Sequence, residues 1–303
     1  MSNSINVSCP VCSISNTTYQ GPYGEKIFLC CNALYECKDC GLIFSHELPK
    51  KDELEKYYSN GCYWDQVSDP YSKDIIEFSY RLALVRLNLI QEKIDFPNNI
   101  PKVIDIGAGN ASFGMALKDI CDEFIYDVVE PDTEVQTKYG SWVNKKFNDV
   151  ADVYGKDYDL AVLNQVLEHM PNPFNFLKSI SKLIKKGGYI YIDVPFKDYL
   201  FKPYLEPHLM FWNKKSLSIL LEKTDNKLIF CDTAGMPHKI AKRYFNQQNL
   251  LRKFLNPWKY LNKINQIMDK IGFPNIFDTF NQYQANQYGG DRQWLRCIAQ
   301  KID

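Results

Sequence analysis

The sequence lacks an excess of charge of either sign. Lysine plus arginine number 36, aspartate plus glutamate also number 36, and the formal net charge at pH 7 is zero. Proteins that attract nucleic acid through their overall electrostatic field carry a clear positive balance. We therefore expect no DNA partner, and RNA is not favoured because it would need a local basic patch.

Long apolar runs are also missing. No stretch approaches the roughly 20 consecutive apolar residues that a membrane-spanning helix requires. The chain starts with the polar residues Met1-Ser2-Asn3-Ser4, unlike a secretory signal peptide. Hydrophobic residues make up 45% and charged residues 24% of the chain, which is ordinary globular usage. We expect a cytoplasmic protein without a transmembrane segment; peripheral membrane contact stays open.

Pairs of cysteines stand near the start of the chain. Two C-x-x-C pairs separated by about 24 residues fit a structural zinc ribbon, in which four thiolates hold one tetrahedral ion. Disulfides are disfavoured in the cytoplasm, and free thiols are the other interpretation. Cys30 and Cys31 are adjacent and therefore do not form a C-x-x-C loop. The predicted zinc ligands are Cys9, Cys12, Cys37 and Cys40.

An apolar stretch that ends in an acid and then breaks into glycines organises the chain. Residues 103–106 (VIDI) predict a buried strand, because β-branched residues favour strands. Gly107 and Gly109 allow a sharp turn and a close approach of the backbone to a ligand. Ser112 stands where a dinucleotide fingerprint has its third glycine, which weakens a dinucleotide interpretation.

Two acids favour a different ligand. Asp105 precedes the glycines, and a second predicted strand ends in Glu130. An ionised carboxylate at the first position suits a ligand that carries an ammonium group. A carboxylate at the second position can accept hydrogen bonds from both hydroxyls of a ribose.

These residues and two later segments resemble the class I S-adenosylmethionine-dependent methyltransferases. The first motif of that family has the form acid-x-Gly-x-Gly, and its second strand ends in an acid. Residues 158–173 resemble its fourth strand and the turn that follows, and residues 183–195 resemble its fifth strand, entered through a Gly-Gly turn. The resemblance implies an α/β fold, a Rossmann-like seven-stranded methyltransferase sheet with helices on both faces, and S-adenosyl-L-methionine as the methyl donor.

The same resemblance gives each donor-site residue a place. Asp105 would meet the amino acid end of the donor, and Glu130 would hold its ribose. Residues 148–150 precede strand four, where the family often presents an acid to adenine; a solvated turn is the other interpretation of Asp149. Residues 164–166 end strand four beneath the sulfonium. The predicted donor-binding residues are Asp105, Gly107, Ala108, Gly109, Glu130, Pro131, Asp149, Val150, Asn164, Gln165 and Val166.

Histidine is scarce, and the four histidines are the natural candidates for a base toward a hydroxyl acceptor. His169 follows strand four at the predicted mouth of the donor pocket. His208 follows strand five, where relatives place residues on the substrate side. A side chain that only supports the turn is the other interpretation of His169. Glu168 is the third candidate for the base.

The chain divides into three predicted parts. Residues 1–48 form the zinc ribbon, and residues 49–96 form a helical linker with a long helix from Asp74 to Ile94. Residues 97–303 form the methyltransferase domain.

An insertion of helical character precedes the last predicted strand. The last two strands are predicted at Leu228 to Cys231 and at Gln293 to Ala299, and the insertion spans about residues 239–288. In one interpretation its aromatic side chains form the acceptor pocket or a lid. In the other, its basic residues form a surface for membrane or RNA.

The order of ribbon and helix bears on the acceptor. A short helix with the paired residues Tyr57 and Tyr58 follows the ribbon, and this arrangement resembles methyltransferases of deoxysugars and surface polysaccharides. We therefore expect methylation of a hydroxyl of a sugar or nucleotide-sugar. The alternatives are an RNA methyltransferase that binds RNA through its ribbon, and a non-catalytic module that only binds the donor. The oligomeric state stays open.

Overall fold

The computed structural model describes residues 7–24, 29–59, 71–95, 100–155, 157–202, 204–242 and 285–303. Most of the predicted helical insertion lies outside the described residues, and so do Tyr63 and Trp64. Among the helices of the described part, none is both long and apolar enough to span a membrane.

The N-terminal part consists of a small sheet and two helices. The strands β1 (Thr17–Pro22), β2 (Ala33–Cys37) and β3 (Ile43–His46) are antiparallel. They are followed by the helices α1 (Lys51–Ser59) and α2 (Lys73–Lys93). The predicted long helix is thus confirmed to within one residue at each end.

The rest of the described chain alternates strands and helices. The strands are β4 (Lys102–Ile106), β5 (Ile125–Val129), β6 (Lys145–Phe147), β7 (Tyr158–Asn164), β8 (Ile184–Pro195), β9 (Met210–Phe211), β10 (Asn226–Pro237) and β11 (Arg292–Lys301). The helices are α3 (Ser112–Leu117), α4 (Thr133–Thr137), α5 (Pro173–Ser181) and α6 (Lys214–Lys223).

Seven of these strands form one sheet, in the order β10-β11-β8-β7-β4-β5-β6. The pairs from β6 to β8 are parallel, and β11 runs antiparallel to both β8 and β10. The carboxyl ends of the parallel strands therefore meet at one edge of the sheet, where ligands of open α/β sheets bind.

Helices cover both faces of this sheet. In β7, six consecutive residues are buried, as expected for a parallel strand packed on two sides. Leu87 of α2 and Phe113 of α3 share one apolar cluster with Leu160, whereas Leu177 of α5 shares the other with Leu163. The predicted α/β fold, a seven-stranded Rossmann-like sheet, is confirmed.

Two strands differ from their predicted bounds. The Gly187-Gly188 pair does not precede β8 but lies inside it, at a shift in register against β7, because Ile184 already pairs with Tyr158. Strand β10 continues well past Cys231, because its pairing with β11 extends to Pro237. The end of β10 and the beginning of β11, between which the insertion lies in the sequence, are both at the ligand edge of the sheet.

The small sheet has a fourth strand that the sequence did not predict. Strand β9 pairs with β3, with Phe44 opposite Met210, so the sheet order is β1-β2-β3-β9. The backbone N–H of Ser45 donates to the carbonyl of Leu209 at 2.8 Å, and Leu209 N–H donates to the carbonyl of Glu168 at 2.8 Å. The small sheet is therefore joined by backbone hydrogen bonds to the turn after β7.

Candidate functional site

A cavity of about 500 Å³ opens at the carboxyl edge of the large sheet. Its volume falls within the range of about 300–1,000 Å³ that small-molecule and cofactor sites occupy. All of the predicted donor-binding residues line it, namely Asp105, Gly107, Ala108, Gly109, Glu130, Pro131, Asp149, Val150, Asn164, Gln165 and Val166.

Asp105 is a buried acid near the end of β4, with 2% of its surface exposed. Its Oδ2 accepts a hydrogen bond from the hydroxyl of Tyr126. Its Oδ1 is buried and has no partner among the described residues. Burial raises the pKa of Asp105 to about 7, although the hydrogen bond from Tyr126 and the charge of Arg86 act in the opposite direction. A ligand with an ammonium group would supply the missing partner.

The glycine loop follows directly. Gly107 and Gly109 have positive φ angles of 67° and 54°, which side chains other than glycine rarely adopt. A Cβ atom at Gly107 would lie 2.6 Å from Cγ2 of Val166. The loop is held by the N–H of Gly107, which donates to the carbonyl of Val129 at 2.7 Å. Glycine is therefore required at 107 by both backbone angle and space.

Glu130 is the acid that follows β5, and it is 6% exposed. Its Oε2 accepts from the N–H of Gly109 at 2.9 Å, and its Oε1 accepts from the N–H of Asp132 at 3.1 Å. Burial raises the pKa of Glu130 to about 7, and these two backbone donors partly offset the effect. Each oxygen keeps a lone pair that can accept from a ligand hydroxyl.

Asp149 lines the cavity and also caps the 3₁₀ helix Val150–Asp152. Its carboxylate accepts from the N–H of Ala151 at 2.9 Å, while Asp152 accepts from the N–H of Asp149 at 3.2 Å. This capping box gives Asp149 a structural role, which supports the turn interpretation without removing the residue from the cavity.

The end of β7 forms the floor of the cavity. Gln165 has a positive φ of 57°, and its N–H donates to the carbonyl of Asp193 at 2.8 Å. Its side-chain amide donates to the same carbonyl at 3.1 Å and to Oδ1 of Asp193 at 3.2 Å. Oδ1 of Asn164 is buried and has no partner among the described residues. The amide of Gln165 therefore holds the turn, whereas the amide oxygen of Asn164 is left for a ligand in the cavity.

The three candidates for the base lie together beside the cavity. The ring centroids of His169 and His208 are 5.0 Å apart, and Nε2 of His169 is 3.6 Å from Oε1 of Glu168. Of the three, His169 lines the cavity. Burial lowers the pKa of His169 to about 3, and the neighbouring His208 adds to this effect. His169 is therefore neutral, and its Nδ1 contacts the backbone carbonyl of Pro207 at 3.3 Å and not a carboxylate.

Glu168 is fully buried, and neither of its carboxylate oxygens has a hydrogen-bond partner among the described residues. Burial raises its pKa well above the ordinary value, because a buried carboxylate loses the solvation of its charge. One ligand atom from each of Glu168, His169 and His208 lies within 4.8 Å of the others, an arrangement that can also hold a divalent cation.

Asp198, which the sequence analysis missed, is the partner of His208. Nδ1 of His208 donates to Oδ2 of Asp198 at 2.7 Å, and Nζ of Lys202 lies 3.1 Å from the same oxygen. Burial alone would raise the pKa of Asp198, but the charge of Lys202 and the contact with His208 hold it well below the ordinary value. An acid ten residues before a candidate histidine was the available signal.

Two more residues of the cavity come from the helices α1 and α2. Arg86 of α2 lines the cavity, and its charge acts on Asp105. Tyr58 of α1 lines the cavity beside His169, with ring centroids 6.1 Å apart, whereas Tyr57 is buried. Both helices belong to the predicted linker. Its paired tyrosines are visible in the sequence, whereas no local pattern marks Arg86 as part of a site.

The four predicted zinc ligands meet in one cluster. Their sulfur atoms all lie within 4.8 Å of one another, with Sγ of Cys9 3.6 Å from that of Cys40 and Sγ of Cys12 3.4 Å from that of Cys37. A regular tetrahedron with Zn–S bonds of about 2.3 Å has edges of about 3.8 Å. The donor set and its spacing therefore fit a structural zinc ion. Cys31 lies outside this cluster and contacts the hydroxyl of Ser45 at 3.4 Å.

Comparison with known proteins gives a family match. A protein-family model described as "Methyltransferase domain" matches residues 78–276, well over half of the chain. The ubiquinone biosynthesis O-methyltransferase of Proteus mirabilis is 24% identical over 156 residues, which are 49% of this chain and 61% of that protein. The chain thus spans less than two thirds of that relative. The protein of the same name from Vibrio parahaemolyticus is 24% identical over 201 residues, 63% of this chain and 82% of that protein.

A solved structure shares the fold. The protein from Galdieria sulphuraria described as a sarcosine dimethylglycine methyltransferase superposes with a TM-score of 0.52 at 13% identity. The match covers 84% of this chain and 99% of that chain. At this identity the likeness concerns the fold alone.

Proposed function

This chain belongs to the methyltransferase-domain family, and we propose from that premise that it transfers a methyl group from S-adenosylmethionine to a hydroxyl group of a small molecule. The main support for S-adenosylmethionine as the donor is that every predicted donor-binding residue lines one cavity. Two buried acids stand at the ends of neighbouring strands there, Asp105 at β4 and Glu130 after β5.

Each polar group of the donor has a candidate partner in the cavity. Oδ1 of Asp105 would accept from the ammonium group, and the oxygens of Glu130 would accept from the ribose hydroxyls. The guanidinium of Arg86 would bind the carboxylate, since it lines the same cavity and lies close enough to affect Asp105. When bound, the donor supplies a methyl group on a sulfonium that is already electrophilic.

The remaining task of the protein is to align a hydroxyl and to remove its proton. We assign the proton acceptor to His208, because its Nδ1 donates to Asp198 and the neutral ring therefore presents a lone pair at Nε2. The acceptor oxygen would bond to the donor's methyl carbon, and the electron pair of the broken carbon–sulfur bond would remain on sulfur. The hydroxyl proton passes to Nε2 of His208, and Asp198 stabilises the imidazolium.

The acceptor class rests on likeness to other proteins. The curated relatives are O-methyltransferases of ubiquinone biosynthesis, which supports a hydroxyl and adds ubiquinone precursors to the candidates. The ribbon followed by Tyr57 and Tyr58 supports a sugar or nucleotide-sugar hydroxyl, and we retain that as the finer proposal. We also propose that the chain divides into a ribbon (1–48) that holds structural Zn²⁺, a linker (49–96) and a methyltransferase domain (97–303).

RNA methylation is less well supported. Within residues 7–24 and 29–48 of the ribbon the one lysine or arginine is Lys38, and it pairs with Glu36. A surface that holds a phosphate backbone needs several cations. A module that binds the donor without catalysis is the other alternative. The hydrogen bond between His208 and Asp198 favours an enzyme, because it orients a histidine that can accept a proton.

Calorimetric titration with S-adenosylhomocysteine tests the donor half, and binding at one site per chain is expected. Methyl-labelled donor is then supplied with nucleotide sugars, with hydroxyl-bearing ubiquinone precursors and with RNA, each with and without added magnesium. Labelling of a small molecule supports the proposal, and labelling of RNA alone replaces it with the RNA alternative. Absence of donor binding would reject the proposed function altogether.

A further inference from the structure

A buried ionic cluster lies behind the donor cavity. Asp193 of β8 is fully buried, and its Oδ2 accepts from Nε of Arg86 at 2.8 Å and from Nε of Arg296 at 3.1 Å. Arg86 is 7% exposed and Arg296 is fully buried. Two guanidinium groups therefore share a single carboxylate oxygen in a site with little access to water.

The sheet brings these residues together. Asp193 stands opposite Arg296 in the antiparallel pairing of β8 with β11. Arg86 reaches the same point from α2, which packs on that face of the sheet. Because Arg86 also lines the cavity, Asp193 connects the core of the sheet to the wall of the donor site.

The charges in this cluster do not cancel. Arg86 and Arg296 carry two positive charges and share one negative charge at Asp193. Another acid near Arg86 is Asp105, which also lines the cavity and is assigned to the donor's ammonium group. Nη2 of Arg296 is buried and has no partner among the described residues. An uncompensated buried cation is costly, so an anionic group brought into the cavity beside Arg86 would be favoured. The bond to Asp193 uses Nε of Arg86 and leaves its two Nη nitrogens for such a group.

We propose that Asp193 is a positioning residue of the donor site, which holds the guanidinium of Arg86 in place to bind the donor's carboxylate while Arg296 anchors Asp193 from behind. The inference rests on the proposed function, because it takes S-adenosylmethionine as the ligand. Asp193 does not itself touch the donor and acts through Arg86. Arg296 is fixed in turn by Nη1, which donates to the carbonyl of Ala285 at 2.9 Å and contacts the hydroxyl of Tyr288 at 3.1 Å.

The effect of removing the charge of Asp193 should be selective. Gln165 forms two of its three hydrogen bonds with the backbone carbonyl of Asp193, and a change of side chain leaves this carbonyl in place. The cavity floor would therefore keep its shape in Asp193→Asn, while Arg86 would lose its fixed partner. The affected part of the ligand is then the amino acid end and not the adenosine.

Two probes separate these parts of the ligand. S-adenosylhomocysteine carries the amino acid end, and 5′-methylthioadenosine has the same adenosine and sulfur without it. We expect Asp193→Asn to weaken S-adenosylhomocysteine binding about 10- to 100-fold, the usual effect of a lost charge-assisted contact, and to change 5′-methylthioadenosine binding less than threefold. Both affinities are measured by calorimetry on the full chain.

The matched control is Asp127→Asn. Asp127 is 1% exposed in β5 and also accepts two side-chain hydrogen bonds, from Tyr158 at 2.6 Å and from Asn144 at 2.7 Å, but it does not line the cavity. This variant should leave the ratio of the two affinities unchanged. An equal loss of both ligands in Asp193→Asn, or no loss, would overturn the proposal.

Two further variants complete the test. One replaces Asp193→Asn if that variant does not fold, and the other shows whether Asp193 acts through Arg86. Arg296→Gln keeps Asp193 and should produce the same selective loss to a smaller extent, and it replaces Asp193→Asn as the deciding variant if the latter does not fold. Adding Asp193→Asn to Arg86→Gln should cause little additional loss, since both act on one contact. A fully additive loss would mean that Asp193 does not act through Arg86. If the wild-type chain binds neither probe, the proposed function itself fails.

Discussion

Nδ1 of His208 lies 2.7 Å from Oδ2 of Asp198, and this contact fixes which nitrogen of the ring can accept a proton. A neutral imidazole that donates through Nδ1 has its lone pair at Nε2. Burial lowers the pKa of His208, helped by the charge of Lys202, and the Asp198 carboxylate opposes this effect. The ring therefore combines a defined tautomer with a partner that stabilises its protonated form.

Substitution of this pair should affect catalysis and leave donor binding intact. His208→Gln is expected to lower the rate of methyl transfer by about 10²- to 10⁴-fold, the usual contribution of a general base. Asp198→Asn should lower it less, because the base remains but its orientation is lost. Rates are measured with labelled donor and the acceptor found by the screen. His46→Gln, in β3 of the ribbon, is the control; equal activity of His208→Gln and wild type would remove His208 from the mechanism.

A methyl group at Gly107 should abolish donor binding. In Gly107→Ala the new Cβ would lie 2.6 Å from Val166 and the φ of 67° would be strained, so either the loop or the floor of the cavity must move. Gly187→Ala is the matched control, because its φ is 78° and nothing lies within 4 Å of the added atom. Both variants should lose about 1–2 kcal/mol of stability from backbone strain. S-adenosylhomocysteine titrations should then separate them, and normal binding by Gly107→Ala would contradict the assigned loop.

Donor affinity should rise with pH through neutrality. Burial raises the pKa of Asp105 from 3.8 and of Glu130 from 4.5 to about 7, and the ligand needs both groups ionised. Below pH 7 each group must release a proton before it can act, which weakens binding up to about tenfold per pH unit for each. Titration of S-adenosylhomocysteine between pH 5.5 and 8.5 measures the slope. Asp105→Asn should reduce the slope to the contribution of Glu130, and a flat wild-type profile would argue against these roles.

The same pKa shifts determine how the stability of the ligand-free protein changes with pH. Because the folded-state pKa values of Asp105 and Glu130 exceed their ordinary values, the folded protein holds these protons more tightly than the unfolded chain. Their contribution to stability is thus present below about pH 4 and is lost as pH rises to about 7. Saturating donor should reverse this trend in thermal unfolding, since it binds the ionised groups.

Removal of zinc should destabilise the whole chain. The purified protein is expected to contain one zinc per chain by elemental analysis, and Cys37→Ser should lose it. Because the ribbon shares its apolar core with the large sheet through residues such as Phe44 and Trp212, we expect one unfolding transition at a lower temperature and not a separate transition. Cys30→Ser, outside the cluster, should retain zinc; loss of zinc from that variant alone would reassign the ligands.

The sequence placed the predicted donor residues at one cavity because they lie in short motifs at the ends of strands. Asp105 to Gly109 form one short motif, and Glu130 and Asn164 each end a recognisable strand. Residues at the ends of neighbouring parallel strands must meet at one edge once the strand order is known. Position in the chain thus translated directly into position in space.

The residues that were missed come from distant parts of the chain. Arg86, Asp193 and Arg296 meet only because a helix and two strands pack at one point, and no local pattern records this. Asp198 begins the short 3₁₀ helix Asp198–Leu200, ten residues before His208, and that separation alone does not predict that the two side chains meet. Strand β9 has two residues, too few for any alternation to predict a strand.

The pairing of β9 with β3 also determines when the small sheet can be completed during translation. The four clustered cysteines and the first three strands of the small sheet leave the ribosome long before residues 210–211. Until then β3 presents an open edge, which is a site for wrong pairing with other chains. The nascent ribbon can gather its metal early, yet its sheet is finished only after most of the methyltransferase strands have been made. The N-terminal unit is thus the first to begin folding and among the last to be completed.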